Sequence, residues 1–460
     1  MNSSADSTHF DVIVIGAGPA GEVLAGRVAD AGLRTAIVER HLVAGECSFY
    51  ACMPSKALLR PGELLAEARR VPGVKEAFTG PLDVPAALAR RDEVIHDLDD
   101  SSQLPWLEQH GIELFRGVAA LDGARRVRID GMVLTAERAV VLATGTGALM
   151  PPIDGLDSVG AWNNRQATTA TSPPESMIVL GGGPVGCEMA QAWASFGTQV
   201  TLVEAADRLL AKEEPFAGEQ AAESLRDRHG VEVLIGAKAV RASRDGQAVS
   251  LEFEDGRARS AAELLVAIGR KPMVDDLGLE SVGLETGGFV ETGDDLRVPG
   301  HDWLYAVGDV NGRALLTHMG KYQAWVASEQ ILGQDALASS EDAGSPRVTF
   351  TDPQVAAVGL TLQQAKDRGI DAVAVDVPTG STAGASFHGK GVEGTCRLVV
   401  DRKRAVPVGA TFTGFETAEM IHAATIAVIA EITMEQLRHA VPAFPTRSEI
   451  WLRLAEAWEG

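Results

Sequence analysis

The chain has 460 residues, 45% of them hydrophobic and 23% charged, with a formal net charge of −22. Its length leaves room for about two to four domains. The acidic balance argues against nucleic-acid binding, which needs a basic surface, and against docking on an anionic membrane. No apolar run approaches the roughly 18 residues of a membrane helix, and the first residues, MNSSADSTHF, lack a basic segment followed by an apolar one. A cytoplasmic protein with no membrane span and no signal peptide is therefore expected.

The first predicted element is FDVIVIG, residues 10–16, an apolar run ending in glycine that reads as a buried parallel strand. A helical pattern, AGEVLAGRVADAG, and a second strand, RTAIVER, follow. Between strand and helix lie Gly16, Gly18, Pro19, Ala20 and Gly21. The first glycine permits the tight turn, the second lets the backbone approach a pyrophosphate, and the third lets helix and strand pack closely. Glu39, at the end of the second strand, is placed to bind a ribose. The alternative is a set of glycines that merely punctuate an ordinary turn.

The next stretch is GECSFYACMPSKALLR, residues 45–60, which puts Cys47 and Cys52 in a chain with four cysteines. A disulfide needs Cα atoms within about 7 Å, which residues this close meet in the loop feeding a helix or its first turns. Pro54 and Ser55 suit a helix start, and Lys56 together with the helix N-terminus would lower a thiol pKa. A redox-active pair is expected. The alternatives are a zinc half-site or two core cysteines. No second close pair completes a zinc site, since Cys187 and Cys396 are isolated, so no metal site is expected.

Further along, VVLATGTGALMPPIDG (140–155) reads as a strand entering a Thr-Gly turn, and TSPPES (171–176) as a linker. Then MIVLGGGPVGCEMAQAWASFGTQVTLVE, residues 177–204, repeats the first strand–helix–strand unit. Gly16 to Glu39 and Gly181 to Glu204 both span 23 positions. The acidic residue at the ribose position favours NADH over NADPH, while nearby Arg208 weakens that preference. LYAVGDVNG (304–312) delivers Asp309 at the end of a strand, where it could hold a polyol or simply serve a turn. EDAGSPR (341–347) marks a boundary; beyond it the sequence is strand-rich and then helical.

These motifs, in this order, resemble the flavoprotein pyridine nucleotide-disulfide oxidoreductases, the family of dihydrolipoamide dehydrogenase, glutathione reductase and mercuric reductase. GAGPAG, CSFYACMPSK, ATG at 143–145, GGGPVGCE, AIGRKP at 267–272, AVGDV and FTDPQVAAVG carry the resemblance over nearly the whole chain. It implies an α/β fold with two Rossmann-like nucleotide-binding domains and a C-terminal α+β dimerisation domain. The expected segments are 1–150 for the first part of the FAD domain, 151–271 for the NAD(P) domain, 272–342 returning to the FAD domain, and 343–460 for dimerisation. FAD, NADH (with NADPH possible), a homodimer and a small-molecule or protein disulfide as acceptor are implied with it.

By the same resemblance, Cys52 faces the flavin, Cys47 exchanges with substrate, and Lys56 pairs with Glu188. Independently, Lys56 reads as a solvated lysine and Glu188 as an ordinary helix residue. The cofactor positions implied are Gly16, Gly18, Pro19, Ala20, Gly21, Glu39, Arg40, Gly45, Glu46, Cys47, Cys52, Lys56, Val118, Ala119, Ala143, Thr144, Gly145, Gly181, Gly183, Pro184, Val185, Glu188, Glu204, Gly269, Gly308, Asp309, Leu315, Leu316 and Thr317.

The sequence departs from the family at its end. Disulfide-reducing members carry a His-Pro-Thr motif with a glutamate five residues after the histidine, a general acid–base pair. Here AFPTRSE, residues 443–449, has Phe444 in place of the histidine but keeps Glu449. Glu449 is a candidate catalytic residue and equally a helix cap, since Thr446 to Glu449 reads as a capping box. His439, His318, His388, His422 and Tyr50 are the other candidate proton carriers. Mercuric reductases also have an aromatic there, but they carry a C-terminal cysteine pair, and no cysteine follows Cys396 here. That weighs against mercury reduction, although Cys47 and Cys52 could bind a soft metal ion as thiolates. The leading expectation is hydride transfer from nicotinamide to flavin and on to a Cys47–Cys52 disulfide. The alternatives are direct flavin reduction of a quinone, oxygen or a soft metal ion, and a redox-responsive flavoprotein partner with little turnover.

Overall fold

A computed structural model of the chain describes residues 8–391 and 393–458. It divides into two compact units, each assembled from three chain segments.

The first unit takes Met1–Pro54, Asp92–Ala148 and Arg270–Glu341. Its seven-stranded sheet runs Glu113–Arg116, Thr35–Glu39, His9–Ile15, Met132–Leu142, Arg126–Ile129, Ala119–Leu121, with Leu304–Ala306 also paired to Met132–Leu142. The pairings of His9–Ile15 with Thr35–Glu39 and Met132–Leu142 are parallel, as is that of Leu304–Ala306. The strand Phe10–Ile15 is apolar at nearly every position because the sheet is covered on both faces, which is why it reads as a continuous run. One face packs against the helices Pro19–Asp30 and Thr317–Ile331 through Leu24, Val28, Ala324 and Ala327.

The second unit takes Ser55–Arg91, Leu149–Gly269 and Asp342–Gly460. A four-stranded parallel sheet runs Glu232–Ile235, Gln199–Glu204, Ser176–Leu180, Glu263–Val266. The helix Pro184–Ser195 follows its central strand and buries Met189, Ala190 and Trp193. A three-stranded antiparallel sheet spans residues 239–261. The C-terminal part is a five-stranded antiparallel sheet in the order Arg347–Thr349, Gln354–Gly359, Val406–Gly414, Thr395–Asp401, Ala372–Pro378. Helices Thr417–Ile429, Met434–His439 and Ile450–Ala457 cover it through Ile421, Leu437 and Leu454. The architecture is thus mixed α/β with an α+β end, as expected from the sequence. Among the described residues, no helix is long and apolar enough to cross a membrane.

Candidate active site

The two glycine-rich turns are built alike, atom by atom. Gly16 N–H donates to Val38 O, and Gly181 N–H to Val203 O, each at 2.8 Å. Gly16 and Gly181 both have positive φ, +106° and +115°. A Cβ on Gly21 would lie 1.9 Å from Gly16 O, and one on Gly186 would lie 1.8 Å from Gly181 O. Only glycine lets the helix start come this close to its strand. The space in front of Gly18 and Gly183 is open, and each leads into a twelve-residue helix with proline in its first turn. That leaves backbone N–H groups and the positive end of a helix dipole available to a phosphate.

The acidic residue closing each unit braces the turn, a role its sequence position did not reveal. Glu39 Oε2 accepts from Ala17 N at 2.8 Å and Oε1 from His41 N at 2.7 Å. Glu204 Oε2 accepts from Gly182 N at 2.6 Å and Oε1 from Ala206 N at 2.7 Å. Each carboxylate oxygen retains a lone pair for a ribose hydroxyl. Gly145 has a φ of +70°, and the hydroxyl of neighbouring Thr144 is buried with no hydrogen-bond partner. Asp309 Oδ2 accepts from Thr146 Oγ1 at 2.8 Å and from Arg270 Nη1. A dinucleotide with a polyol arm fits this donor and acceptor set in the first unit.

Gly45–Phe49 is a short helix preceded by Ala44 at a φ of +79°, and a second helix begins at Cys52. Cys47 and Cys52 are in the thiol form, outside any disulfide, and partly buried. The hydroxyl of Thr317 donates to Cys47 Sγ at 3.1 Å and lies 3.5 Å from Cys52 Sγ. Hydrogen bonding to Cys52, burial and the charge of Cys52 push the Cys47 thiol far above the usual thiol range, while Thr317 pulls it down. Tyr50, between the cysteines, is buried, and its hydroxyl is 2.9 Å from His41 Nε2. His41 was not singled out in the sequence because nothing in its spacing ties it to the cysteine loop.

In the second unit Lys56 Nζ donates to Glu188 Oε2 at 2.7 Å and sits 4.8 Å from the centre of the Phe350 ring. Phe350 N donates to Glu188 Oε1 at 2.9 Å. Neither partner is a merely solvated residue. Cys187 is fully buried and Cys396 is too, its thiol raised by burial to about 12, so both are core cysteines. Val185 is half-exposed at the start of its helix; in the first unit Ala119 is buried on a strand and Val118 precedes it, exposed. Arg40 is exposed, with Nη2 3.6 Å from Met273 Sδ.

Phe444 is 77% exposed. Glu449 Oε2 accepts from Thr446 N at 3.2 Å, completing a capping box, and from Gly384 N at 3.1 Å. His439 is paired with Glu435 at 3.2 Å, and His388 lies against Phe415 with the rings tilted by 48° and their centres 4.7 Å apart. His422 is exposed on the helix Thr417–Ile429, and His318 follows Thr317 in its helix. Among the described residues, no group of three or more His, Cys, Asp or Glu side chains is arranged to hold a metal.

Two dinucleotide cradles, with a cysteine pair in the same unit as the first, define a flavin- and nicotinamide-dependent oxidoreductase. The pyridine nucleotide-disulphide oxidoreductase family model matches residues 10–330, and the family's dimerisation-domain model matches 345–455. The chain belongs to this family and is an FAD-dependent enzyme of it. It is 34% identical to dihydrolipoyl dehydrogenase of Chlorobaculum tepidum over 96% of each chain. It is 30% identical to mercuric reductase of Staphylococcus aureus, over 96% of this chain and 81% of that one. The structure of the HOCl-induced flavoprotein disulfide reductase RclA from Escherichia coli superposes with a TM-score of 0.86 at 26% identity, covering 97% of this chain and 99% of that one.

Proposed function

We propose that this enzyme uses NADH to reduce a disulfide-type acceptor, with Cys47 and Cys52 as the exchanging couple, in the cytoplasm and as a homodimer. The observation that carries this reading is the convergence of both sulfurs on one hydroxyl, which brings the two thiols together. The Gly16–Gly21 turn, Glu39, Thr144 and Asp309 would hold FAD, which when bound would supply the two-electron link between reduced nicotinamide and a disulfide.

The chain's own residues do the rest. Cys47 as thiolate attacks one sulfur of the acceptor, and one acceptor thiol leaves, taking a proton. Cys52 then attacks Cys47 Sγ, forming the intramolecular disulfide and releasing the second acceptor thiol. The acceptor gains two electrons from the cysteine pair and two protons, one from Cys52 and one from solvent. In the second unit Lys56 and Glu188 hold each other in place.

Preference for NADH is supported by Glu204, whose carboxylate meets a ribose and repels a 2′-phosphate. Arg208, the nearby cation that weakens this preference, already donates to Asp207 and Ala211 O.

The test is anaerobic addition of NADH to the oxidised enzyme, followed by alkylation and peptide mapping. Two new thiols, at Cys47 and Cys52, are expected, and none in Cys47→Ser. Absence of both in wild type overturns the reading. A second reading, reduction of a soft metal ion held by the two thiols, is favoured by the mercuric reductase relatives. Mercuric ion run beside lipoamide and glutathione disulfide in an acceptor panel separates the two.

A further inference from the structure

The Thr317 hydroxyl touches both sulfurs, and nothing about its position in the helix requires that. Thr317 is the first residue of Thr317–Ile331, and the helix is not capped by a side chain at that end. Its hydroxyl is therefore not spent on the helix backbone. It donates to Cys47 Sγ at 3.1 Å, and its oxygen lies 3.5 Å from Cys52 Sγ. With the O–H pointing at Cys47, a lone pair remains to accept the Cys52 S–H.

We infer that Thr317 is a positioning residue that bridges the dithiol, sharing one proton between Cys52 and Cys47 so that the pair holds a single thiolate without a histidine. The inference rests on the redox reading of the pair given above. In the step itself the Cys52 S–H bond breaks as an O–H bond forms at Thr317, while the original Thr317 O–H passes its proton to Cys47. One proton moves from Cys52 to Cys47, negative charge moves the other way, and no electrons transfer. The reverse step returns the thiolate to Cys47 for attack on the acceptor.

The surroundings explain why such a bridge matters. Two sulfurs this close cannot both be charged, and burial opposes even one. The N-terminus of the Thr317 helix adds partial positive charge. The titratable groups nearest the three residues along the chain are Glu46 beside Cys47, Tyr50 between the cysteines with its hydroxyl on His41, His318 beside Thr317, and Lys56 one turn beyond Cys52; Lys321, Tyr322 and Glu329 lie further along the Thr317 helix. Lys56 is engaged with Glu188. Phe444, where the family has its acid–base histidine, carries no proton.

The test uses the phosphine-reduced, FAD-loaded enzyme and follows iodoacetamide alkylation of Cys47 against pH by mass spectrometry. A hydrogen bond to a charged group is worth enough to move a pKa by about 1–2 units. Thr317→Val should raise the midpoint by that amount, and Thr317→Ser, which keeps the hydroxyl, should restore it. An unchanged midpoint in Thr317→Val overturns the bridge, and so does a Thr317→Ser midpoint raised above wild type by the amount expected for valine. The serine arm decides the matter if the valine variant does not fold. A wild type that forms no Cys47–Cys52 disulfide on oxidation overturns the redox reading itself; a wild type that forms it, with unmoved variant midpoints, overturns only the bridge.

Discussion

Lys56 Nζ lies 2.7 Å from Glu188 Oε2, and the two side chains differ sharply in burial, at 36% and 6% exposed. The carboxylate therefore has more to lose than the ammonium. Among the described residues, the Phe350 amide is the partner Glu188 keeps if Lys56 is removed. Lys56→Met should destabilise the enzyme by about 1–3 kcal/mol, between the cost of breaking an exposed pair and that of breaking a fully buried one, because the lysine is partly solvated. Glu188→Gln retains an acceptor for Phe350 and should lose about half as much. Urea unfolding followed by tryptophan fluorescence checks the order; equal losses would mean that charge, not the amide contact, carries the effect.

The duplicated turns permit a paired experiment. A Cβ at Gly21 or Gly186 meets a backbone carbonyl that cannot swing away. Overpacking of this kind costs about 1–3 kcal/mol, or about 10–100-fold in affinity. Gly21→Ala should lose FAD, read as bound cofactor per chain. Gly186→Ala should stay fully loaded and show a KM for NADH raised by that factor. Loss of FAD from both would mean that the two cradles do not act independently.

Much of this was legible because it is local. The glycine spacing, the apolar strands and the capping box at Thr446–Glu449 each rest on neighbours within one strand–turn–helix stretch, where backbone sterics fix the outcome. The contacts that the sequence withheld are long-range. Thr317 is 270 positions from Cys47, and the Lys56–Glu188 pair, 132 positions apart, was legible only through the family resemblance and not from the residues themselves. Thr317 stood only as one more implied cofactor position beside Leu315 and Leu316, because no residue pattern says which way a helix-starting hydroxyl points. The bracing of the glycine turns by Glu39 and Glu204 was missed for a different reason: the ribose role already accounted for an acid there.

Phe444 offers a direct test of acid–base chemistry. A positioned histidine contributes about 10²–10⁴ in rate. Phe444→His should raise turnover of lipoamide by at least the lower figure and introduce an inflection near the ordinary histidine pKa of about 6.5. Steady-state kinetics from pH 5.5 to about 8.5 read both effects. Fast lipoamide turnover in wild type, unimproved by the substitution, would show that exchange here does not wait on that position.

The same C-terminal stretch exposes Val441 at 79% and Phe444 at 77%, with Ile426 and Ile429 about half-exposed. Such side chains in a dimerisation domain are expected to be covered by the second copy. Ile426→Lys together with Val441→Lys should place unpaired charge in that contact and shift the protein to monomer. Light scattering after size exclusion checks this, and an unshifted dimer would place its interface elsewhere.

Glu22, directly after Gly21 in the first helix, gives a pH prediction of definite sign. Burial raises its carboxyl from 4.5 to about 7; Lys321 opposes the shift and Glu39 adds to it. The folded chain therefore holds this proton more tightly than the unfolded chain does. The stability it confers is full below about pH 4.5 and is lost as pH rises through about 7. Glu22→Gln has no proton to lose, so it should match wild type near pH 4 and exceed it near pH 8 by on the order of 3 kcal/mol. Denaturant midpoints of both proteins at the two pH values measure the difference directly. A glutamine variant that gains nothing at the higher pH would mean that the folded chain keeps Glu22 ionised and hydrated.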